Sequence, residues 1–477
     1  MHAIRDSLTK IIATIGPSCN NKETLQKMIL EGLDVCRLNF SHGSYDDHEQ
    51  SIKIIKQLNK EMGANIAILA DLQGPKLRIG EVENDQVILK EGNTIRFVTE
   101  SCLGTSDQVY MGYQQFPMDV MPGETVLVDD GKIKLEVVET DRKDSVSLKV
   151  ISGGVLSSRK GVNLPNTKIS LPSLTEKDID DVNFILKHEV HWIALSFVRK
   201  VKDILDLKEI IKESGKNVKV VAKIEKPEAV ENIDEILTQT DAVMVARGDL
   251  GVETPFDKVP VLQKDLVRKC IIKGKPVIIA TQMMEGMITN LMPTRAEATD
   301  VANAVLDGAD AVMLSGETSV GKYPVEVIRN MQKVITATES SGFYLKHDHA
   351  PEKTNPFYLP ESVSYNACKM ADVIDAAGIV VFTYFGGTAI NISSYRPNTK
   401  IYAFTVDDLV MKQLSLIRGM DSFPVDQKIN INDAIGYTIK ILKKHGLAKQ
   451  GDKLVYVAGI PMKDREPVNT IHIKTVD

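Results

Sequence analysis

Eight short apolar, β-branched runs, separated by stretches of helical periodicity, narrow the fold of this chain more than any other feature. They are Lys10–Gly16 (KIIATIG), Asp34–Phe40 (DVCRLNF), Asn65–Leu72 (NIAILADL), Trp192–Val198 (WIALSFV), Val218–Glu225 (VKVVAKIE), Ala242–Asp249 (AVMVARGD), Pro276–Met283 (PVIIATQM) and Ala311–Glu317 (AVMLSGE). Each is apolar on both faces, as strands of a parallel sheet covered by helices must be. Segments such as Lys22–Glu31 and Val201–Lys212 supply the helical pattern between them. Eight strand-helix units predict an α/β fold, a closed eight-stranded (β/α) barrel of the TIM type. A doubly wound sheet accepts the same alternation but has no reason to stop at eight.

One long interval, Leu72 to Trp192, breaks the rhythm and reads as all-β. Turn signals at Glu91-Gly92, Pro122-Gly123 and Asp130-Gly131 separate short strands such as Thr94–Thr99, Thr125–Val128 and Val146–Val150. This predicts a small β-barrel inserted after the third strand, over residues 76–170, with the large barrel built from 1–75 and 171–345. A polar, proline-containing stretch, Lys346–Pro360, reads as a linker. Beyond it, runs at Ile379–Thr383, Ile401–Thr405, Lys453–Ala458 and Thr470–Thr475 predict a second α/β domain over 346–477.

Composition excludes several classes of function. The formal charge is −6 and aromatic residues are 5% of the chain, which argues against a nucleic-acid protein held by phosphate neutralisation and base stacking. No apolar run reaches membrane-spanning length, and the opening MHAIRDSLTK has no apolar signal core. Five scattered cysteines with no CxxC spacing suit a reducing compartment. The expected location is cytoplasmic, with no membrane and no nucleic-acid partner.

In a barrel of this type chemistry collects at the carboxyl ends of the strands. The second run ends in Arg37, Asn39 and Ser41, spaced by two and so on one side. The third ends in Asp71 and the fifth in Lys223 and Glu225. The sixth ends in Arg247, Gly248 and Asp249, the seventh in Thr281 and Gln282, and the eighth in Ser315, Glu317 and Thr318. Glu225 and Asp249 suit a hard cation such as Mg²⁺, which takes one or two carboxylates plus substrate oxygens; they equally suit inter-strand ion pairs with Lys223 or Arg247. Lys223 suits stabilisation of a developing oxyanion, or a plain pairing with Glu225. Gly248 permits close backbone approach of a carboxylate or phosphate, while Asp249 also suits a helix cap. Arg37 suits a phosphate clamp or a salt bridge at the mouth, and Thr281 a proton relay or a cap.

Longer strings then fall in a fixed order: RLNFSHG (Arg37–Gly43), DLQGPKLR (Asp71–Arg78), KGVNLP (Lys160–Pro165), SFVR (Ser196–Arg199) and AKIEKPEAVENIDEI (Ala222–Ile236). MVARGDLGVE (Met244–Glu253), ATQMMEGM (Ala280–Met287), PTRAEATDVANAV (Pro293–Val305) and DAVMLSGETSVGKYP (Asp310–Pro324) complete the series. Together they resemble the pyruvate kinase family over nearly the whole chain. The resemblance implies phosphoryl transfer from phosphoenolpyruvate to ADP, giving ATP and pyruvate, the last step of glycolysis. It implies Lys223, Arg37 and Thr281 as catalytic residues, and Arg37, Lys223, Gly248, Asp249 and Thr281 as substrate contacts. Glu225 and Asp249 match the ligands of a divalent ion, Mg²⁺ or Mn²⁺. Asn39, His42, Arg78 and Lys160 match nucleotide contacts, and the inserted domain matches a mobile lid. An aldolase or lyase acting on pyruvate enolates would suit the KIE string equally, but has no nucleotide to enclose beneath such an insert.

Two departures stand out. The family's K⁺ site is matched by Asn39, Ser41, Asp71 and the Leu72 backbone, but its K⁺-dependent members carry an acid where this chain has Lys76. Lys76 is therefore the expected substitute cation, and K⁺ is not expected to be required. In the last domain the effector loop of the family is matched by TYFGGTA, with Thr383, Gly386, Gly387 and Thr388 retained and Phe385 in place of a serine. A phosphorylated effector is thus an open expectation. The resemblance also implies a homotetramer, and with the sequence ending near Asp477 the additional phosphoenolpyruvate-utilising domain of some bacterial relatives is not expected.

Overall fold

The computed structural model describes residues 7–343, 349–426, 431–461 and 466–477. Its centre is a closed barrel of eight parallel strands: Lys10–Thr14, Val35–Asn39, Ala67–Asp71, Trp192–Leu195, Lys219–Ile224, Ala242–Ala246, Val277–Ala280 and Ala311–Leu314. Each strand lies beside its neighbours in sequence, and the first closes on the eighth through Lys10–Ala311 and Ile11–Val312 pairing. Alternation along each strand sorts the side chains into two separate cores. Ile11, Ala13, Cys36, Leu38, Ile68 and Val220 pack outward against the helices. Ile12, Val35, Leu69, Ala194, Met244 and Met313 fill the interior. By the same parity Arg37, Asp71, Lys223 and Glu225 continue the interior rows to the carboxyl mouth.

The strands are shorter than the runs that predicted them, always at the carboxyl end. The sixth stops at Ala246 and the chain turns at once into a helix, Arg247–Glu253. The seventh stops at Ala280, where Thr281 and Gln282 take left-handed backbone angles (φ 71° and 55°). The eighth stops at Leu314, ahead of a helical turn, Gly316–Ser319. In these three units the polar residues stand on turns beyond the strand, whereas Arg37, Asp71 and Lys223 are held within the carboxyl ends of theirs.

The four even-numbered strands begin with one repeated device. The residue just before each donates its N–H to a carbonyl of the preceding strand and accepts that same residue's N–H with its side chain. Asp34 pairs in this way with Ile11, His191 with Ile68, Asp241 with Val220 and Asp310 with Val277, with side-chain bonds of 2.9, 2.8, 2.9 and 2.9 Å.

The insert has its own core, built on Ile95, Phe97, Phe116, Val126, Leu135 and Leu148. Six strands, Gln108–Tyr110, Thr94–Val98, Ser145–Ser152, Ile133–Thr140, Thr125–Val128 and Val162–Asn163, pair in that order. The two edges are joined by Arg78, which bridges to Gly161, and Ile79, which bridges to Met111. The stretch around Arg78 and Ile79 is too short to read as a strand, yet it turns the sheet into a ring.

The carboxyl-terminal region forms a five-stranded sheet. Its strands Gly378–Phe382, Ile401–Thr405 and Lys453–Ala458 are central, and Thr470–Thr475 is antiparallel at one edge. The other edge, Met420–Pro424, was not expected: MDSFP is polar and ends in proline, a composition an edge strand tolerates. The expected linker Lys346–Pro360 is cut short by a helix, Tyr358–Val373, whose first turn contains Pro360, where a missing N–H costs no helical bond. Residues 346–348 of that stretch lie outside the described residues.

Candidate active site

Asp71, buried at the end of the third strand, organises the mouth of the barrel. Its Oδ2 accepts from Arg37 Nε at 2.7 Å, and its Oδ1 lies 3.0 Å from Lys223 Nζ. Arg37 also donates to Thr14 Oγ1 at 2.8 Å. Lys223 completes a tripod: its ammonium is 2.9 Å from Glu225 Oε1 and donates to Ser196 Oγ at 2.6 Å. Ser196 in turn donates to the Leu72 carbonyl at 2.7 Å. Two cations and two carboxylates therefore occupy one buried layer, tied to the ends of five different strands.

The electrostatics follow from that crowding. Burial opposes the Lys223 charge, but Asp71 and Glu225 outweigh it and hold the ammonium above the ordinary lysine pKa. Burial opposes ionisation of Asp71 too, and Lys223 and Arg37 outweigh it, keeping this carboxyl below its usual range. Glu225 goes the other way. Burial pushes its pKa up, Lys223 only partly offsets this, and the Asp249 carboxylate adds to the rise. Glu225 Oε2 accepts the N–H of Phe197 at 2.7 Å, and Phe197 takes φ 53° to present it. Glu225 and Asp249 thus lie close enough to repel, which is the condition a divalent cation relieves. Among the described residues no group of three or more His, Cys, Asp or Glu gathers at one point. Two carboxylates with the rest supplied by ligand oxygens fit Mg²⁺, which keeps few protein ligands.

Gly248 is the second residue of the helix Arg247–Glu253, and its N–H donates to Thr281 Oγ1 at 2.8 Å. Thr281 donates onward to the Ala280 carbonyl at 2.6 Å. Arg247, also noted from the sequence, is a scaffold: it holds Asp300 at 2.7 Å and the Thr281 carbonyl at 2.6 Å. Glu317 is likewise structural, its buried carboxylate accepting the N–H of Ser315 at 2.6 Å.

Asn39 pairs in register with Asp71, and its Oδ1 accepts the N–H of Ser41 at 3.2 Å. Asn39, Ser41, Asp71 and Leu72 therefore gather at adjacent strand ends. Lys76 does not join them. Its side chain lies along Gly161 of the insert, and it lines a narrow crevice with Phe197, Asp249 and Glu253. No ion pair joins it to a carboxylate among the described residues. His42 is exposed on the loop after the second strand. Arg78 and Lys160 sit on the adjoining stretches that close the insert, where Arg78 donates to the Arg159 carbonyl at 3.0 Å and Lys160 pairs with Asp129 at 2.9 Å. Thr383, Phe385, Gly387 and Thr388 line a separate cavity of about 220 Å³ in the carboxyl-terminal domain. There Gly386 (φ 82°) donates to Thr383 Oγ1 at 3.0 Å, and Phe385 is 69% exposed.

Several participants escaped sequence reading. Thr14 and Ser196 end the first and fourth strands on the interior parity, the one signal that would have singled them out. Glu253 is buried at the end of the Gly248 helix; its Oε1 receives Lys226 Nζ at 2.7 Å and Asn163 Nδ2 of the insert at 2.9 Å. Arg199 grips the return of the insert through the carbonyls of Ile169 and Leu171, both at 2.5 Å. Asp178 accepts from Gly74 on the segment leading out to the insert (3.0 Å) and from Thr175 on the return (2.9 Å). The insert is thus held at its hinge by Asp178 and Arg199 and at its cleft edge by Glu253.

Comparison with known proteins places this architecture. Residues 6–328 match the family model described as pyruvate kinase, barrel domain, and residues 361–474 match pyruvate kinase, alpha/beta domain. The pyruvate kinase of Corynebacterium glutamicum is 42% identical over 468 residues, covering 98% of this chain and 97% of that one. That of Geobacillus stearothermophilus is 39% identical over 470 residues, covering 98% of this chain and 80% of the other. The crystal structure of a pyruvate kinase from Cryptosporidium parvum superposes with a TM-score of 0.90 at 36% identity, covering 99% of this chain and 97% of that chain.

Proposed function

Because the chain belongs to the pyruvate kinase family of phosphotransferases, we propose that its barrel mouth carries out Mg²⁺-dependent phosphoryl transfer from phosphoenolpyruvate to ADP. The observation that carries this reading is the Lys223 ammonium held between Asp71, Glu225 and Ser196, beside Arg37. Phosphoryl transfer asks for positioning and charge neutralisation more than for covalent machinery. An oxygen of the ADP β-phosphate attacks phosphorus, the bond to the enol oxygen breaks, and the enolate is then protonated at carbon to give pyruvate. Arg37 draws in the phosphate. Lys223 offsets the charge that grows on the bridging and enolate oxygens. The Gly248 N–H, now on Thr281 Oγ1, receives the substrate carboxylate, and the freed Thr281 hydroxyl stands where a proton is delivered. Glu225 and Asp249 would hold the divalent ion, which when bound adds positive charge beside the transferring group.

The nucleotide lies between His42 and Asn39 on the barrel and Arg78 and Lys160 on the insert, whose closure excludes water from the phosphoryl group. The insert, 76–170, acts as the lid of a barrel made from 1–75 and 171–345, with 346–477 as the regulatory-type domain. Lys76, at the hinge, lies along Gly161 and in the crevice with Asp249 rather than among Asn39, Ser41 and Asp71, so the positive charge that makes K⁺ dispensable in this reading is brought to the cleft from the insert side. The loop Thr383–Thr388 accepts a phosphorylated effector. The enzyme works as a homotetramer in cytoplasmic glycolysis; no helix among the described residues is long and apolar enough to cross a membrane.

The test is pyruvate formation from phosphoenolpyruvate and ADP with Mg²⁺ in sodium-free tetramethylammonium buffer, repeated with K⁺ at constant ionic strength. Full activity in both buffers supports the reaction and the role of Lys76. Activity only with K⁺ keeps the reaction and removes Lys76 from it. Inactivity in both sinks the assignment.

A further inference from the structure

The loop after the second barrel strand, residues 40–44, is gripped from behind by a single helix. That helix, Glu176–Ile185, follows the return leg of the insert and opens with a capping box made by Thr175 and Asp178. Two of its residues, one turn apart, reach the loop. Lys177 Nζ donates to the Phe40 carbonyl at 2.8 Å and to Asp181 Oδ2 at 2.6 Å. Asp181 Oδ1 accepts the Tyr45 hydroxyl at 2.8 Å, at the start of the helix Tyr45–Met62 into which the loop leads. Ring contacts reinforce the joint. Tyr45 stacks on Phe184 of the gripping helix with centroids 4.5 Å apart, and buried Phe40 stacks on His48 at 4.2 Å.

One peptide unit of the loop is held at both ends. The Phe40 carbonyl receives Lys177, and the N–H of the same unit, that of Ser41, donates to Asn39 Oδ1 at 3.2 Å. A peptide unit is planar, so two bonds at its opposite ends fix its orientation. The next N–H, that of His42, donates back to the Asn39 carbonyl at 3.1 Å. Asn39 and His42 are therefore set relative to each other by a turn whose central plane depends on Lys177.

Stability of the helix does not explain the pair. The lysine precedes the carboxylate, which is the weaker order for an i, i+4 pair, and the helix is already capped by Thr175. Asp181 is nonetheless buried, and both partners of its carboxylate lead to the loop. Burying that charge costs desolvation energy, and what it secures is the pose of the loop. The same helix also holds the outgoing leg of the insert, because Asp178 Oδ1 accepts the Gly74 N–H at 3.0 Å. Loop and hinge thus share one rigid element.

We propose that Lys177 and Asp181 are positioning residues for ADP, fixing the peptide plane between Phe40 and Ser41 so that the loop bearing Asn39 and His42 stands in its nucleotide-binding pose before ADP arrives. This rests on the assignment of that loop to the nucleotide. Neither residue touches the nucleotide. Their contribution is preorganisation, which raises affinity by reducing the ordering cost of binding.

Calorimetric titration of the full chain with ADP and Mg²⁺, paired with steady-state kinetics in both substrates, tests this. Lys177→Met alters a side chain that is 51% exposed, so the fold survives it. It should weaken ADP binding about fivefold and raise KM for ADP by the same factor. KM for phosphoenolpyruvate, and kcat at saturation, should stay within about twofold, as when binding shared by ground and transition states is lost. Lys177→Arg, which still reaches the Phe40 carbonyl, should recover most of the loss. Asp181→Asn keeps an acceptor for Tyr45 but removes the charge that aims Lys177, and should weaken ADP about threefold. Unchanged ADP affinity in Lys177→Met, with the parent active, overturns the proposal and leaves the functional reading standing. Equal losses for ADP and phosphoenolpyruvate also overturn it, since a purely structural role predicts them. A parent that binds neither substrate removes the functional reading, and this proposal with it.

Discussion

At the base of the barrel, Asp34, Asp241 and Asp310 sit one residue before a strand, and each closes a two-bond ring with the backbone of the strand before it. At the mouth, Asp71 and Glu225 are buried as fully as Asp310, whereas Asp34 and Asp241 are half-buried, and apart from the Phe197 N–H on Glu225 the partners of the mouth pair are side chains: Arg37, Lys223 and, through Lys223, Ser196. Asp310 also receives Arg396 Nη2 at 2.7 Å and the N–H of Arg418 at 3.3 Å, so it fastens the carboxyl-terminal domain as well. A carboxylate neutralised by fixed amides and an interdomain arginine has little left to offer a ligand. One neutralised by a flexible lysine and an arginine at an open mouth can exchange those partners for a phosphate and a metal ion. Burial is thus a poor guide to function in this barrel. What separates the two ends is the backbone ring: Asp34, Asp241 and Asp310 have Lys10, Lys208 and Arg396 beside them in addition to the ring each closes with the preceding strand, whereas Asp71 and Glu225 close no such ring.

The sharpest way to break this contrast is to exchange the effects. Glu225→Gln at the mouth should lower kcat by about a thousandfold, the scale of losing a group that organises transition-state charge, with a shift in melting temperature of only a few degrees. Steady-state kinetics across a Mg²⁺ titration, read beside calorimetric melting, checks it. Asp310→Asn at the base should do the reverse. It strands Arg396 and costs about 3 kcal/mol or more of stability, as breaking a buried pair does, while the folded fraction keeps its kcat. Denaturant unfolding measures the loss, and a kcat that falls with Asp310→Asn would erase the distinction between the ends.

A smaller effect is expected where the insert meets the barrel. Asn163→Ala removes the hydrogen bond to Glu253, a bond to a charged group worth about 1.5–3 kcal/mol. If it holds the lid over the cleft, kcat/KM for phosphoenolpyruvate should fall about tenfold while melting drops by only a few degrees. Unchanged kinetics would leave Asn163 a packing residue.

The smallest effect belongs to His191, the one member of the base series that is not an aspartate. Its Nδ1 accepts the Ile68 N–H at 2.8 Å and so carries no proton in the fold. Burial pushes its pKa down, the nearby Glu189 opposes this, and Lys412 adds to the fall. A folded pKa below the unfolded value means full stability above about pH 6.5, lost as pH falls through the folded pKa, at up to about 1.4 kcal/mol per unit. His191→Asn retains the acceptor without the titration. Unfolding at pH 5.5 and 7.5 should show a decline in the parent that the variant lacks.

Much of the fold was legible because β-branched runs and helical spacing report local packing, and Lys223 and Glu225 announce themselves by charge inside an apolar run. Met420–Pro424 was not, because an edge strand needs no apolar pattern. The Arg78–Ile79 closure was missed because a pair of bridges leaves no periodicity. At the site, Ser196 and Thr14 matter through partners on other strands, and Glu253 through an asparagine on the insert. Those contacts depend on register and on the hinge, which no local pattern encodes. Lys76 illustrates the converse: its substitution is plain in the sequence, but its side chain lies along Gly161 rather than beside Asp71.

The central claim is that the side-chain-neutralised charges at the mouth serve the transfer step. Its most direct test is a rapid-quench single turnover of phosphoenolpyruvate with ADP and Mg²⁺, comparing the parent with Lys223→Met, alongside phosphoenolpyruvate affinity and melting. The account predicts transfer slowed by about a thousandfold or more, affinity changed by less than about tenfold, and a folded protein. Transfer within tenfold of the parent would contradict it and return Lys223 to the class of the base: a charge kept for the fold.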